Sequence, residues 1–259
     1  MRMKPNRFKE QMTKNNFSVG HMVQEFGTRS QAKVLEQVDI DFVIIDTEHS
    51  AFTSANVADM VAWFKATDIA PFVRIPQIQY HFIARTLDAG ALGIMVPNVK
   101  SGAEAQSVVN AAKYAPFGDR GVGLSAAHTD FKKVVPHDYM TYSNRNTTLI
   151  CQIESKEGLD NIEDIATTPG IDVLWVGHFD LSQSLGIPGQ FEHESFLTAI
   201  QHVVDIAKKH GLGAGIQPNS IGDAHTWMDM GFNVISYGND HLVYMNALKN
   251  AVDKLRSSQ

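Results

Sequence analysis

Leu149-Ile150-Cys151-Gln152-Ile153-Glu154 is an apolar run of strand length that ends in one carboxylate. A second run, Val173-Leu174-Trp175-Val176-Gly177, leads into His178-Phe179-Asp180-Leu181, again with one carboxylate at its end. Near-continuous apolar runs of this length suit strands buried on both faces of a parallel sheet. A carboxylate at the end of such a strand is costly unless it is paired, hydrogen-bonded or bound to a cation. Two endings at matching positions point to one divalent cation held between neighbouring strands.

Similar runs lie on either side, at 17–22, 42–45 (running into Asp46), 71–75, 93–97, 213–217 and 234–237, making eight with the two quoted. The segments between them have helical character. Val57, Met60, Val61 and Phe64 share one face of 54–66, residues 102–114 open with an Ala/Glu run, and Phe196, Ile200, Val203, Val204 and Ala207 form a stripe along 195–210. Alternating strands and helices imply βα units with right-handed crossovers. Eight units in 259 residues match the length of a single (β/α)8 TIM barrel, about 250 residues. A doubly wound open sheet is the alternative, but no Gly-x-Gly-x-x-Gly turn follows the first strand. The expected organisation is one α/β domain over 1–259 with a short polar N-terminal extension, about 1–16. Residues 114–146 exceed one βα connection; the run Pro116-Phe117-Gly118-Asp119-Arg120-Gly121-Val122-Gly123 predicts a structured loop over a site.

Composition narrows the class. The chain is 44% hydrophobic and 19% charged, with a formal charge of −6, so nothing favours nucleic acid or an anionic membrane as partner. Its one cysteine, Cys151, sits in an apolar run and cannot form an internal disulfide. The first residues lack a signal-peptide core, and no run approaches the ~18 apolar residues of a membrane span. A cytoplasmic protein is expected.

In such barrels the active site lies at the C-terminal ends of the strands. The polar residues there are Asp46, Glu48 and His49, then Arg74, Gln152, Glu154, His178, Asp180 and Gln217. If Ile150 faces the interior, strand alternation sends Gln152 and Glu154 the same way, into the mouth. Two carboxylates without a Cys/His cluster suit Mg2+ or Mn2+ keeping open positions. Such an ion accepts a chelating 2-oxo acid and polarises its keto oxygen. Arg74 reads either as an ion pair to Asp46 or Glu48, or as a cation facing a developing enolate oxygen. His49 is a candidate general base, with Asp88 to orient it. Backbone N–H groups after His178 could receive a carboxylate, or Asp180 could be a plain N-cap.

At this point the chain resembles the HpcH/HpaI family of metal-dependent class II 2-oxo acid aldolases. The resemblance runs from about residue 17 to the C-terminus. It rests on Ile45-Asp46-Thr47-Glu48-His49, Val73-Arg74, Leu87-Asp88-Ala89-Gly90, Met95-Val96-Pro97, Arg120-Gly121-Val122-Gly123, Gln152-Ile153-Glu154 and Gly177-His178-Phe179-Asp180-Leu181-Ser182. It implies a phosphoenolpyruvate/pyruvate-type barrel, assembled as a homo-hexamer with C-terminal helices exchanged between paired subunits. It implies Glu154 and Asp180 as ligands of a divalent metal (Mg2+ or Mn2+, with Co2+ a further candidate). Gln152, Gly177, His178 and Phe179 would surround a bound 2-oxo acid. Arg74 would stabilise the enolate, and His49 with Asp88 would manage protons. The implied reaction is reversible cleavage of a 4-hydroxy-2-oxo acid to pyruvate, or a related 2-oxo acid, and an aldehyde through a metal-bound enolate.

Three segments depart from the family pattern. Gly177-His178-Phe179-Asp180 stands where relatives have Gly-Pro-Ala-Asp, proline does not directly follow Arg74, and strand seven ends Gly215-Ile216-Gln217-Pro218. These changes bear on the acceptor aldehyde. They leave an oxaloacetate-type decarboxylase or a malyl/citramalyl-CoA-type lyase as alternatives, with a non-catalytic barrel binding a small acid as the remote one.

Overall fold

Every apolar run named above forms a strand, and the strands pair in parallel and in chain order until the eighth closes on the first. The computed structural model describes residues 3–14 and 17–257. Its first half comprises α1 (Arg7–Thr13), β1 (Ser18–Val23), α2 (Arg29–Glu36), β2 (Phe42–Asp46), α3 (Ser54–Phe64), β3 (Ala70–Arg74), α4 (Tyr80–Asp88), β4 (Gly93–Val96), α5 (Gly102–Ala112) and α6 (Pro136–Asn146). The second half comprises β5 (Thr148–Ile153), α7 (Lys156–Asp160), α8 (Ile162–Ala166), β6 (Val173–Val176), α9 (His178–Ser184), α10 (Glu194–Lys209), β7 (Gly213–Ile216), α11 (Ile221–Met230), β8 (Val234–Asn239) and α12 (Asp240–Ser257). The molecule is therefore a (β/α)8 barrel, and closure excludes the doubly wound alternative. Among the described residues no helix is long and apolar enough to cross a membrane.

Strand alternation sorts the apolar side chains into two layers. Phe42, Ile44, Phe72, Met95, Ile150, Val173, Trp175 and Val234 fill the barrel interior. Their neighbours Val43, Ile45, Val73, Ile94, Leu149, Cys151, Leu174 and Ile235 face the surrounding helices. Three inward rings are accommodated by glycine on a neighbouring strand: Gly20 pairs with Phe42, Gly93 with Phe72 and Gly215 with Trp175. A Cβ on Gly215 would stand 2.2 Å from the Trp175 ring, so the interior leaves no room for one. Cys151 lies fully buried in the outer layer, which pushes its thiol up to about 12; it is an unreactive packing residue.

The N-terminal extension has a structural task that its polar composition concealed. Of the expected segment 1–16, residues 1, 2, 15 and 16 lie outside the described residues. Within the rest, Asn6 caps α1 by accepting from the Lys9 N–H. Phe8 of α1 is fully buried in the interior layer, edge-on to Phe42 and Phe72 with ring centroids 5.4 and 5.1 Å away. Asn6 also donates to the Asn146 carbonyl and the Thr148 hydroxyl, and Lys9 pairs with Asp172. α1 therefore plugs the barrel floor.

The long connection 114–146 differs from expectation in two ways. Its second half is α6, started by Pro136 at the first helical turn with Asp138 close behind, both helix-start signals. The glycine-containing half does not roof the barrel mouth. The Gly121 N–H donates to the Tyr80 hydroxyl at 2.8 Å, and Arg120 pairs with Asp88 at 2.6 Å, so this segment is tied to α4.

Candidate active site at the mouth of the barrel

The alternation that fills the interior also aims the polar residues. Ile150 does face inward, and Gln152 and then Glu154 follow it toward the mouth. Ile44 is followed by Asp46, Phe72 by Arg74, Trp175 by Gly177 and Gly215 by Gln217. Arg74, Gln152, Gly177, His178, Phe179, Asp180 and His49 line one cavity of about 260 Å³, together with Gln24, Trp175, Gln217, Asn219 and Asn239.

The carboxylates concentrate on one side. Glu154 is almost fully buried. Its Oε1 accepts from the Asn98 N–H at 2.6 Å, and its Oε2 accepts from the Gln152 amide. Burial pushes its carboxyl up to about 7, the Gln152 hydrogen bond opposes this, and the charges of Glu48 and Asp180 add to the rise. Glu48 is likewise raised to about 7, first by burial, against Arg74 and with Asp46 and Asp180. Asp180 is solvent-exposed in the first turn of α9. The Gln152 Oε1 and Glu48 Oε2 oxygens are buried without a hydrogen-bond partner. A Cβ on Gly177 would lie 2.2 Å from Glu154 Oε2 and 2.8 Å from Gln152 Nε2, so this strand end must be glycine for the two side chains to meet.

Arg74 is gripped by Asp46 and lies against Glu48. Its Nε and Nη2 donate to the two Asp46 oxygens at 2.9 and 2.7 Å, and Nη1 lies 3.3 Å from Glu48. Burial alone would lower the guanidinium's pKa, but the Asp46 hydrogen bonds and the Asp46, Glu48 and Glu154 charges together raise it. The ion-pair reading of Arg74 is realised, and its position on the cavity wall keeps it available to a bound oxygen. Asp46 also accepts from the Glu48 N–H at 3.0 Å, which shapes the turn carrying His49.

His49 stands half exposed, 3.8 Å from Glu48. The expected pairing with Asp88 is not formed within the chain. Asp88 ends α4, where Arg120 takes its carboxylate and His128 lies 4.0 Å away. The sequence placed Asp88 only by its spacing in Leu87-Asp88-Ala89-Gly90 and carried no sign of Arg120 as partner. His178 is buried among Phe179, Phe191 and Trp227, and this burial lowers its imidazole to about 4, against the pull of Asp223. It is a neutral wall residue at physiological pH. Phe179 is exposed at the cavity rim.

The donor set fits a hard divalent cation. Glu154 and Asp180 offer only oxygen, and the four neighbouring carboxylates outnumber the one guanidinium. Among the described residues no three His, Cys, Asp or Glu side chains form a complete ligand set. An ion held here by two carboxylates would draw its remaining ligands from other oxygens, such as the unpartnered Gln152 Oε1, water or substrate.

Gln24, Trp175, Asn219 and Asn239 also line the cavity but escaped the reading of strand-end residues. Gln24 continues the inward parity of Ser18, Gly20 and Met22 one residue past β1, a signal present in the sequence.

The fold and site define an enzyme of carbon–carbon bond chemistry, with a buried arginine set among carboxylates at the barrel mouth. The chain belongs to the HpcH/HpaI aldolase/citrate lyase family, whose model matches residues 27–247. It is similar to a 5-keto-4-deoxy-D-glucarate aldolase of Shigella boydii serotype 18, 31% identical over 252 residues that cover 97% of each chain. Among solved structures it resembles an HpcH/HpaI aldolase from Desulfitobacterium hafniense DCB-2, with TM-score 0.91 and 28% identity over 96% of each chain. It also resembles the citrate synthase SbnG, with TM-score 0.87 and 28% identity over 97% of this chain and 98% of that one.

Proposed function

We propose that the protein reversibly cleaves a 4-hydroxy-2-oxo acid to pyruvate, or a related 2-oxo acid, and an aldehyde, with a divalent cation on Glu154 and Asp180. The carrying observation is a cavity lined by Asp180, Gln152 and the Asp46-held Arg74, with buried Glu154 hydrogen-bonded to Gln152 just behind its wall. The aldolase relative supports a hydroxylated 2-oxo acid as substrate class. When bound, the cation supplies Lewis acidity to the keto oxygen of the substrate.

The chain's own residues do the rest. Gln152 holds Glu154 in place, and Gly177 leaves the space for it. Arg74, fixed by two bonds to Asp46, presents positive charge to the enolate oxygen without reorganising. His49, exposed at the mouth with Glu48 beside it, exchanges a proton with the substrate hydroxyl. Glu48 lies 3.8 Å from this imidazole within the chain, and a pairing of His49 with Asp88 would have to come from a second copy. His178, Phe179 and Trp175 form the wall that shapes the site. Mg2+, Mn2+ and Co2+ are the candidate ions. α12 leaves Leu242, Tyr244, Met245 and Leu248 uncovered, which supports assembly of several copies, a hexamer being the expected form.

The test is a panel of 4-hydroxy-2-oxo acids, with oxaloacetate alongside, given to chelator-treated protein before and after each ion is added back. Pyruvate release that depends on the ion and is lost in Asp180→Ala supports the reading. Equal turnover by the chelated protein would sink it.

A further inference from the structure

Four hydrogen-bonded links run around one side of the mouth. The Gln217 amide donates to Asn239 Oδ1, and the Asn239 amide donates to Gln24 Oε1. Gln24 Nε2 donates to Asp46 Oδ2 at 3.2 Å and to the His49 carbonyl at 3.0 Å. Asp46 then holds Arg74. These residues sit at the ends of β7, β8, β1, β2 and β3, five consecutive strands of the closed barrel.

A bulge makes the series continuous. Gly20 pairs with Ser236 but Met22 pairs with Asn239, so β8 advances three residues while β1 advances two. The extra residue turns Asn239 inward, where unbroken alternation would have pointed it out. Gly238 supplies the left-handed conformation there, φ +62°.

The series has only one polarity. An ionised carboxylate accepts and never donates, so Gln24 must present its NH2 to Asp46 and its oxygen to Asn239. Asn239 and Gln217 are oriented in turn by the same logic. The Gln217 carbonyl oxygen, without a hydrogen-bond partner among the described residues, is left for the cavity that Gln217 lines.

We propose that Gln217, Asn239 and Gln24 are positioning residues that hold Asp46, and through it Arg74, in the orientation the reaction uses. The relay rests on the geometry alone; its catalytic consequence rests on the proposed function, and the two are tested apart. In 15N-labelled protein the Arg74 Nε–H signal, identified by its loss in Arg74→Lys, reports how firmly Asp46 holds the guanidinium. Asn239→Leu cuts the relay. Gln217→Glu, nearly isosteric, reverses it: Asn239 must turn its NH2 toward the new carboxylate, which draws the Gln24 NH2 away from Asp46. Both variants are expected to speed hydrogen exchange at Arg74 Nε about tenfold, and to slow pyruvate C3 proton exchange about tenfold in kcat with KM changed less than about threefold. Unchanged Arg74 Nε exchange in a folded Gln217→Glu protein overturns the relay. Absence of pyruvate exchange in the parent protein would count against the proposed function, while the Nε signal would still decide the relay.

Discussion

Gly177 and Glu154 touch so closely that the glycine defines the carboxylate's position: a Cβ at 177 would stand 2.2 Å from Glu154 Oε2 and 2.7 Å from its Cβ. Gly177→Ala should therefore displace Glu154 while leaving the barrel folded. Mn2+ affinity, followed by electron paramagnetic resonance, should fall about ten- to a hundredfold, as when a ligand's supporting contacts are lost. Parent-like affinity would mean that Glu154 is not a ligand.

The raised carboxyls of Glu154 and Glu48, both about 7, set a pH window. A carboxyl raised in the fold favours its protonated form there, so this contribution to stability is complete below the unfolded value and is lost as pH rises toward 7. A cation binds the deprotonated form and reverses that loss. Mn2+ should thus raise the melting temperature more at about pH 8 than at about pH 6. Equal shifts at both values would contradict a site built on Glu154.

Glu154→Gln should separate stability from function. The amide removes a buried charge that burial and two carboxylates disfavour. Its NH2 can donate to the unpartnered Gln152 Oε1 once Gln152 turns. The metal-free variant should melt about 2–4 °C higher than the parent near neutral pH, yet lose ion-dependent cleavage. A lower melting temperature would show that Glu154 stabilises the fold.

Arg74→Lys keeps one positive charge but loses the two-pronged grip on Asp46. Pyruvate C3 exchange should slow about a hundredfold or more. Arg74→Ala is less informative, because stranding buried Asp46 should itself cost about 3–5 kcal/mol of stability. Exchange within a factor of two in the lysine variant would remove Arg74 from the reaction.

The barrel was legible because its strands are apolar runs, and the Glu154 side of the mouth was legible because Gln152 and Glu154 lie two apart behind an inward Ile150. Asn239 was hidden because its inward aim depends on a bulge at Gly238, and a bulge breaks the alternation from which orientation is inferred. The Asp88 partner was hidden because Arg120 reaches it from a loop that carries no periodicity. α6 was hidden by its polarity, although Val135-Pro136-His137-Asp138 held a helix start in plain view.

Phe8 gives the barrel a keystone. Its ring leans on β2 and β3, while its neighbours Asn6 and Lys9 reach Thr148 on β5 and Asp172 just ahead of β6. This seven-residue helix thus needs both halves of the barrel in place before its contacts are complete. Heat or denaturant should accordingly take the two halves apart in one transition, because neither retains the floor that the other helps to hold.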